Sequence, residues 1–270
     1  MLSRRRLLAA FAAAPVTRGV AQEPNPAVRG GPLRLGADRS LVESGLARGL
    51  QHAFGADTGI AVLIVPGPAL AVLEALKNGE VDAALLNVPD AEAALDKEGL
   101  VHDRRAIAQS EFILVGPAPA AKPRGRRAPP GTSGVEALAR IRAEAEADPA
   151  SLVFLSAGDG SGVHVAEQAL WRAARIEPLA PWYVAADPKQ PFIAQVRARG
   201  AYALVERGAW AALGGAPQSV LVAGDPQLVE SVHAMRSFRV SHPAGKIFLS
   251  WIAGGRGRAA VASHLGRRAR

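Results

Sequence analysis

The sequence predicts an α/β protein of two lobes with a ligand cleft between them. Three observations predict it. Short apolar runs rich in Val, Leu and Ile alternate with segments at helical spacing, the order that builds mostly parallel sheets. That order occurs twice, over residues 33–115 and again from residue 135, with a Pro-, Ala- and Arg-rich crossing stretch over 116–130 between them. Turns bearing Gly and Ser follow strand ends in both units, and strand ends are where open α/β sheets take ligands.

The elements follow in order. Residues 33–37 form a short strand running into a turn. Leu41, Gly45, Leu46, Leu50 and Phe54 stand at helical spacing. Asp57-Thr58-Gly59 turns the chain into the apolar run 60–65, of the kind buried in a parallel sheet, and Pro66-Gly67-Pro68 breaks it. Residues 69–78 form a helix closed by Gly79, and 81–86 a third strand. Asp90 caps a helix over 91–98 that Gly99 ends, and 111–115 is a strand. In the second unit, 135–147 is helical, 152–156 a strand, 158–162 a turn, 163–174 a helix and 201–205 a strand. After Pro226 the chain returns toward the first lobe, and the last helix includes 246–253. The divisions expected are 33–115 for the first lobe, 116–207 for the second and 208–265 for the return.

The ends of the chain carry an address. Ser3-Arg4-Arg5-Arg6-Leu7-Leu8 and the Ala-rich run after it read as a basic segment followed by a short apolar one. Gly19 and Ala21 fit a cleavage after Ala21. The Arg-Arg pair in that setting fits the twin-arginine export pattern. Residues 1–21 are thus an expected signal peptide, 22–32 a linker, 266–270 a basic tail and the periplasm the expected compartment. The net charge of +8 is concentrated at these ends, and removing residues 1–21 leaves 28 basic against 24 acidic residues. That distribution, with 5% aromatics, excludes a nucleic-acid footprint. With no cysteine the fold uses neither disulfides nor thiolate metal sites, and the six histidines show no metal-ligand spacing. No cofactor is expected.

The segment Ser156-Ala157-Gly158-Asp159-Gly160-Ser161-Gly162-Val163-His164 carries the strongest local chemistry. A strand runs into a Gly/Ser turn and then a helix, whose first N–H groups are unpaired and electropositive. Ser156 and Ser161 add hydroxyls, so the segment suits an oxyanion or a carboxylate. The alternative is a plain helix cap by Asp159 or Ser161. The second candidate is Gly36-Ala37-Asp38-Arg39-Ser40, where Arg39 and Ser40 offer donors and Asp38 opposes an anion if it faces the same cleft. There the alternative is Asp38 as the helix N-cap with Arg39 in solvent. Arg207 follows a strand end and points to the cleft or forms a structural ion pair, while His164, one turn into a helix, is a packing residue or stands behind the ligand contacts. Paired carboxylates occur only on solvated helices, as at Glu144 and Glu146. No Gly-x-Ser-x-Gly elbow is present, so no enzyme constellation is assigned.

Ordered segments over roughly 33–265 resemble the periplasmic tungstate-binding proteins of ABC transporters, within the type II periplasmic binding proteins. Glu43-Ser44-Gly45-Leu46, Asn87-Val88-Pro89, Ser110-Glu111-Phe112, the turn 156–164, Trp171, Trp182-Tyr183 and 200–208 carry the resemblance. It implies a two-lobed type II binding-protein fold that closes on a small anion, tungstate or molybdate first, and delivers it to an ABC permease at the inner membrane. It implies ligand contacts from Arg39, Ser40, Ser156, Ser161, Gly162, Val163 and Arg207, with Asp159 and His164 in support. The departures fall in those loops. The family's three threonines are Ala37, Asp38 and Arg39 here, its loop arginine is Ala157, and the threonine before the histidine is Val163. Other readings are a receptor for a different ligand such as an organic acid or amide, and a degenerate receptor serving as sensor or assembly partner. A hydrolase is a further reading, for which only His164 offers a base.

Overall fold

The computed structural model describes residues 31–117, 131, 133–148, 152–216 and 219–268. The expected signal peptide, nearly all of the linker and of the crossing stretch, and the end of the basic tail lie outside the described residues. The chain runs β1 (Leu33–Asp38), α1 (Arg39–Glu43), α2 (Leu46–Thr58), β2 (Val62–Gly67), α3 (Ala69–Asn78), β3 (Ala83–Leu86), α4 (Pro89–Lys97) and β4 (Val101–Val115). It continues with α5 (Gly134–Ala147), β5 (Phe154–Ser156), α6 (Gly162–Ala174), β6 (Tyr183–Ala185), α7 (Phe192–Arg199), β7 (Ala203–Glu206) and α8 (Arg207–Ala212). Then come β8 (Val220–Val222), β9 (Val229–Ser237), α9 (Pro243–Ala253) and α10 (Gly255–Arg268).

Seven strands form one sheet in the order β2-β1-β3-β9-β4-β7, with β8 also on β4, and β5 pairs β6 separately. The expected mostly parallel sheet is corrected: β1 pairs β2 and β3 in parallel, but every pairing of β4 and β9 is antiparallel. The expected strand at 111–115 is the end of a fifteen-residue strand. Its first part pairs β9, and residues 112–115 pair β7 in the second lobe. β9 in turn pairs β3 in the first lobe. The β4–β9 ribbon therefore joins the lobes and sets the cleft.

Period-two alternation places the cores. On β1, Leu33, Leu35 and Ala37 pack with Leu50, Phe54 and Phe248. Gly36 faces the other way, where a Cβ would lie 2.6 Å from Val72 Cγ1, so only glycine lets α3 pack this closely. On β4, Phe112 and Leu114 join the cluster of Leu138, Phe154 and Trp171, while Ile113 and Val115 join that of Leu155, Val205 and Trp210.

Four local expectations are corrected. The single helix over 41–54 is two, because Gly45 adopts φ 87° and breaks the first turn from α2. The run at 60–65 becomes β2, an edge strand whose Leu63 and Val65 are exposed rather than buried. Asp90 does not cap α4; Pro89 opens that helix, and Glu92 Oε1 instead accepts the Val88 N–H at 2.9 Å. Buried Glu92 is held by Arg104 Nε at 3.2 Å and His233 Nδ1 at 2.7 Å. The last helix is not α9, since α10 follows it.

Candidate functional site

The site lies where β1 and β5 end facing one another. Asp38 caps α1 from β1, with Oδ1 accepting from the Ser40 backbone N–H at 2.9 Å and the Ser40 hydroxyl at 2.5 Å. Its other oxygen, Oδ2, crosses to the second lobe and accepts the N–H of Gly162, the first residue of α6, at 3.0 Å. This carboxylate is fully buried. Burial pushes its pKa up, and the hydrogen bonds from Ser40 and Gly162 act the other way.

The turn before α6 folds upon itself. Gly158 and Gly160 take φ 62° and 78°, a region that glycine enters without strain. Asp159 Oδ1 accepts the Ser161 N–H at 2.9 Å, and Ser161 Oγ accepts the His164 N–H at 3.3 Å as the helix cap. The Gly160 N–H donates to His164 Nδ1 at 3.0 Å. That contact makes Nδ1 an acceptor, and burial lowers the His164 pKa, opposed by Asp159. A second tie crosses the cleft, from the Leu70 N–H at the start of α3 to the Gly160 carbonyl at 3.0 Å.

Arg39, Ser40, Glu43, Ala157, Asp159, Ser161, Val163 and Phe192 line a cavity of about 30 Å³ between the lobes. Arg39 Nη1 reaches Asp159 Oδ2 at 3.4 Å. Burial raises the Glu43 pKa, opposed by Arg39 and reinforced by Asp38, Asp159 and Glu206. The cavity thus combines one guanidinium with several carboxyl groups. Among the described residues no set of three or more His, Asp or Glu is placed to hold a metal ion, and no helix is long and apolar enough to cross a membrane.

The structure brings Arg39, Ser40, Asp159, Ser161, Gly162, Val163 and His164 together. It does not bring in two others. Ser156 is buried within the second lobe, beside Glu167 and Tyr183. Arg207 points away and pairs with Glu111 at 2.6 Å, the ion-pair alternative. Glu92 and Glu167 are buried singly, the first against Arg104 and His233 and the second against Tyr183 and Trp171. Two residues of the site were missed. Asn87, just beyond β3, is buried with Oδ1 and Nδ2 both lacking a hydrogen-bond partner. It abuts Gly162 so closely that a Cβ there would lie 2.0 Å from Asn87 Oδ1. Its signal was its place at the carboxyl end of a strand. Glu43 stands in one of the segments that carry the resemblance, but a carboxylate one helical turn past Arg39 reads as surface, so it was not assigned to the site.

Residues 29–237 match the family model described as a PBP superfamily domain. The chain is 30% identical over 181 residues to a Haloferax volcanii protein described as an ABC transporter anion-binding protein, covering 67% of this chain and 50% of that one. The chain thus spans half the length of that relative. It is 28% identical over 229 residues to the tungstate-binding protein TupA of Peptoclostridium acidaminophilum, covering 82% of this chain and 77% of that one. A solved structure described as the tungstate ABC transporter from Geobacter sulfurreducens superposes with TM-score 0.67 at 23% identity, covering 86% of this chain and 98% of that one. That likeness shows the fold.

Proposed function

The chain belongs to the PBP superfamily, and on that premise we propose that it captures a small oxyanion in the periplasm and delivers it to an ABC permease. One observation carries this reading. The N–H at the start of α6 and both donors of Ser40 converge, from opposite lobes, on a single buried carboxylate group. Donors so arranged are built for an anionic oxygen. The names of the Haloferax and Peptoclostridium relatives support an anion, with tungstate and molybdate the first to test. The proposed mechanism is capture, lobe closure about the β4–β9 ribbon and docking on the permease, with no bond made or broken. The signal pattern at residues 1–21 supports export, with the twin-arginine route as its proposed form.

A second reading has its own support. The carboxyl groups around the cavity favour a ligand that brings hydrogen-bond donors, such as an organic acid or amide. Isothermal titration of the purified protein with tungstate, molybdate and sulfate separates the two. Saturable binding of an oxyanion supports the first, and no heat from any of the three refutes it. In the first case Arg39→Ala weakens binding roughly 10- to 100-fold, the worth of one charge-assisted hydrogen bond. An unchanged affinity removes Arg39 from the site.

A further inference from the structure

The donors of the anion site are already occupied, and the occupant belongs to the chain. Asp38 Oδ1 takes the Ser40 amide and hydroxyl, and Oδ2 takes the Gly162 amide. A small cavity of about 30 Å³, lined by Arg39, Ser40, Asp159 and Ser161 among others, adjoins these donors. A tetrahedral oxyanion and the Asp38 carboxylate therefore compete for one position. Beside it stands the buried Asn87 amide, with neither polar atom partnered and its end against Gly162. That amide points to a ligand at the α6 N-terminus that the closed, self-occupied arrangement does not supply.

We propose that Asp38 is the specificity-determining residue of this cleft, a tethered carboxylate in the anion's seat that admits an oxyanion only together with a proton. The proposal rests on the anion-receptor reading above. An oxyanion that takes the three donors leaves Asp38 buried, stripped of them and next to a like charge. Two buried like charges at contact are not sustained, and one proton shared between carboxyl and oxyanion relieves them. The neighbours do not supply that relief. Arg39 is the nearby cation, and Asp159 already draws it. Asp159 adds negative charge at Asp38, and Glu43 from α1, which faces Asp38, Asp159 and Glu206 at the end of β7, adds more. His164 on α6 accepts from the Gly160 N–H through Nδ1. Burial raises the Asp38 pKa, in keeping with a group that takes up this proton.

Titration calorimetry with tungstate and with sulfate, between about pH 6.5 and 8.5, tests this in the wild type, Asp38→Asn and Asp38→Ser. The serine variant keeps an N-cap acceptor for the Ser40 amide without the charge, and thermal melts check that both variants fold. Wild-type affinity should rise about tenfold per unit fall in pH, with about one proton taken up per anion when buffers of different ionisation enthalpy are compared. Both variants should bind at least about tenfold more tightly than wild type at pH 8, without pH dependence. If the variants bind no more tightly, or keep the wild-type slope as His164 would give, the proposal is overturned. Tight, pH-independent binding by wild type overturns it while leaving the anion-receptor reading intact. Absence of binding in all three proteins overturns both.

Discussion

Replacing Glu167 by glutamine is expected to stabilise the protein at pH 8 and not at pH 5. Glu167 lies on α6 inside the second lobe, with Oε1 accepting the Tyr183 hydroxyl at 2.7 Å and the Trp171 Nε1–H at 3.3 Å. Burial pushes its pKa up to about 7, against the pull of these hydrogen bonds. The sign follows from linkage. The folded state holds this proton more tightly than the unfolded chain, whose carboxyl titrates near 4.5. The stabilising effect of that proton is complete below the lower value and is lost as pH rises through about 7. Above it, an ionised carboxylate in the core costs on the order of 3 kcal/mol. Glutamine is neutral throughout and still accepts from Tyr183 and Trp171. Its amide NH2 cannot accept from Ser156 or the Ala157 backbone, which also bear on the carboxyl, and this offsets about 1–2 kcal/mol of the gain. A net gain of about 1–2 kcal/mol at pH 8 corresponds to a melting temperature higher by a few degrees. Melts at the two pH values check it. A variant less stable than wild type at both would show that the buried carboxylate is matched by interactions an amide cannot replace.

Trp171→Ala should cost about 3–5 kcal/mol, the range for emptying a large aromatic site, and lower the melting temperature by roughly 10 °C. Trp171 is 1% exposed and is the largest fully buried side chain among the described residues. Its ring meets Phe154 at 5.0 Å between centroids, Trp182 at 6.0 Å and Tyr183 at 6.2 Å. Those rings also pack on one another, which restrains them from relaxing into the space. The substitution also removes a donor from Glu167, so Trp171→Ala and Glu167→Gln should not be additive. Urea unfolding of the single and double variants measures both the cost and the coupling. A Trp171→Ala loss under about 1 kcal/mol would mean that the lobe collapses around the vacancy.

Most of the local architecture was legible in the sequence. β1, β3, β5 and β7 announce themselves as apolar runs bounded by glycine, proline or polar turns. The caps of α3 at Gly79 and of α6 at Ser161 are set by residues within one turn. Several elements were not legible: no expectation covers β6, α7, α8, β8 or β9, and two further cases show why. Residues 101–110 of β4 read His102-Asp103-Arg104-Arg105, a polar segment that is a strand because β9 supplies its hydrogen-bond partners. α10 carries too little apolar character to announce a helix, and Val261 packs against the core around Phe54 and Phe248 only once α2 and α9 are in place.

The candidate site divides along the same line. The sequence by itself determined that two strand–turn–helix units end in anion-compatible loops, and that Asp38, Asp159 and Ser161 sit where local backbone groups need capping. Such hydrogen bonds close within a few residues, so short windows encode them. Only the tertiary structure decided that Asp38 reaches Gly162, that Asn87 abuts the same helix start, and that Arg207 turns to Glu111 instead. The first of these pairs is 124 residues apart in sequence. The β4–β9 ribbon brings the strand ends of the two lobes face to face, and contacts made across that gap depend on where it sets the lobes, which no local periodicity records.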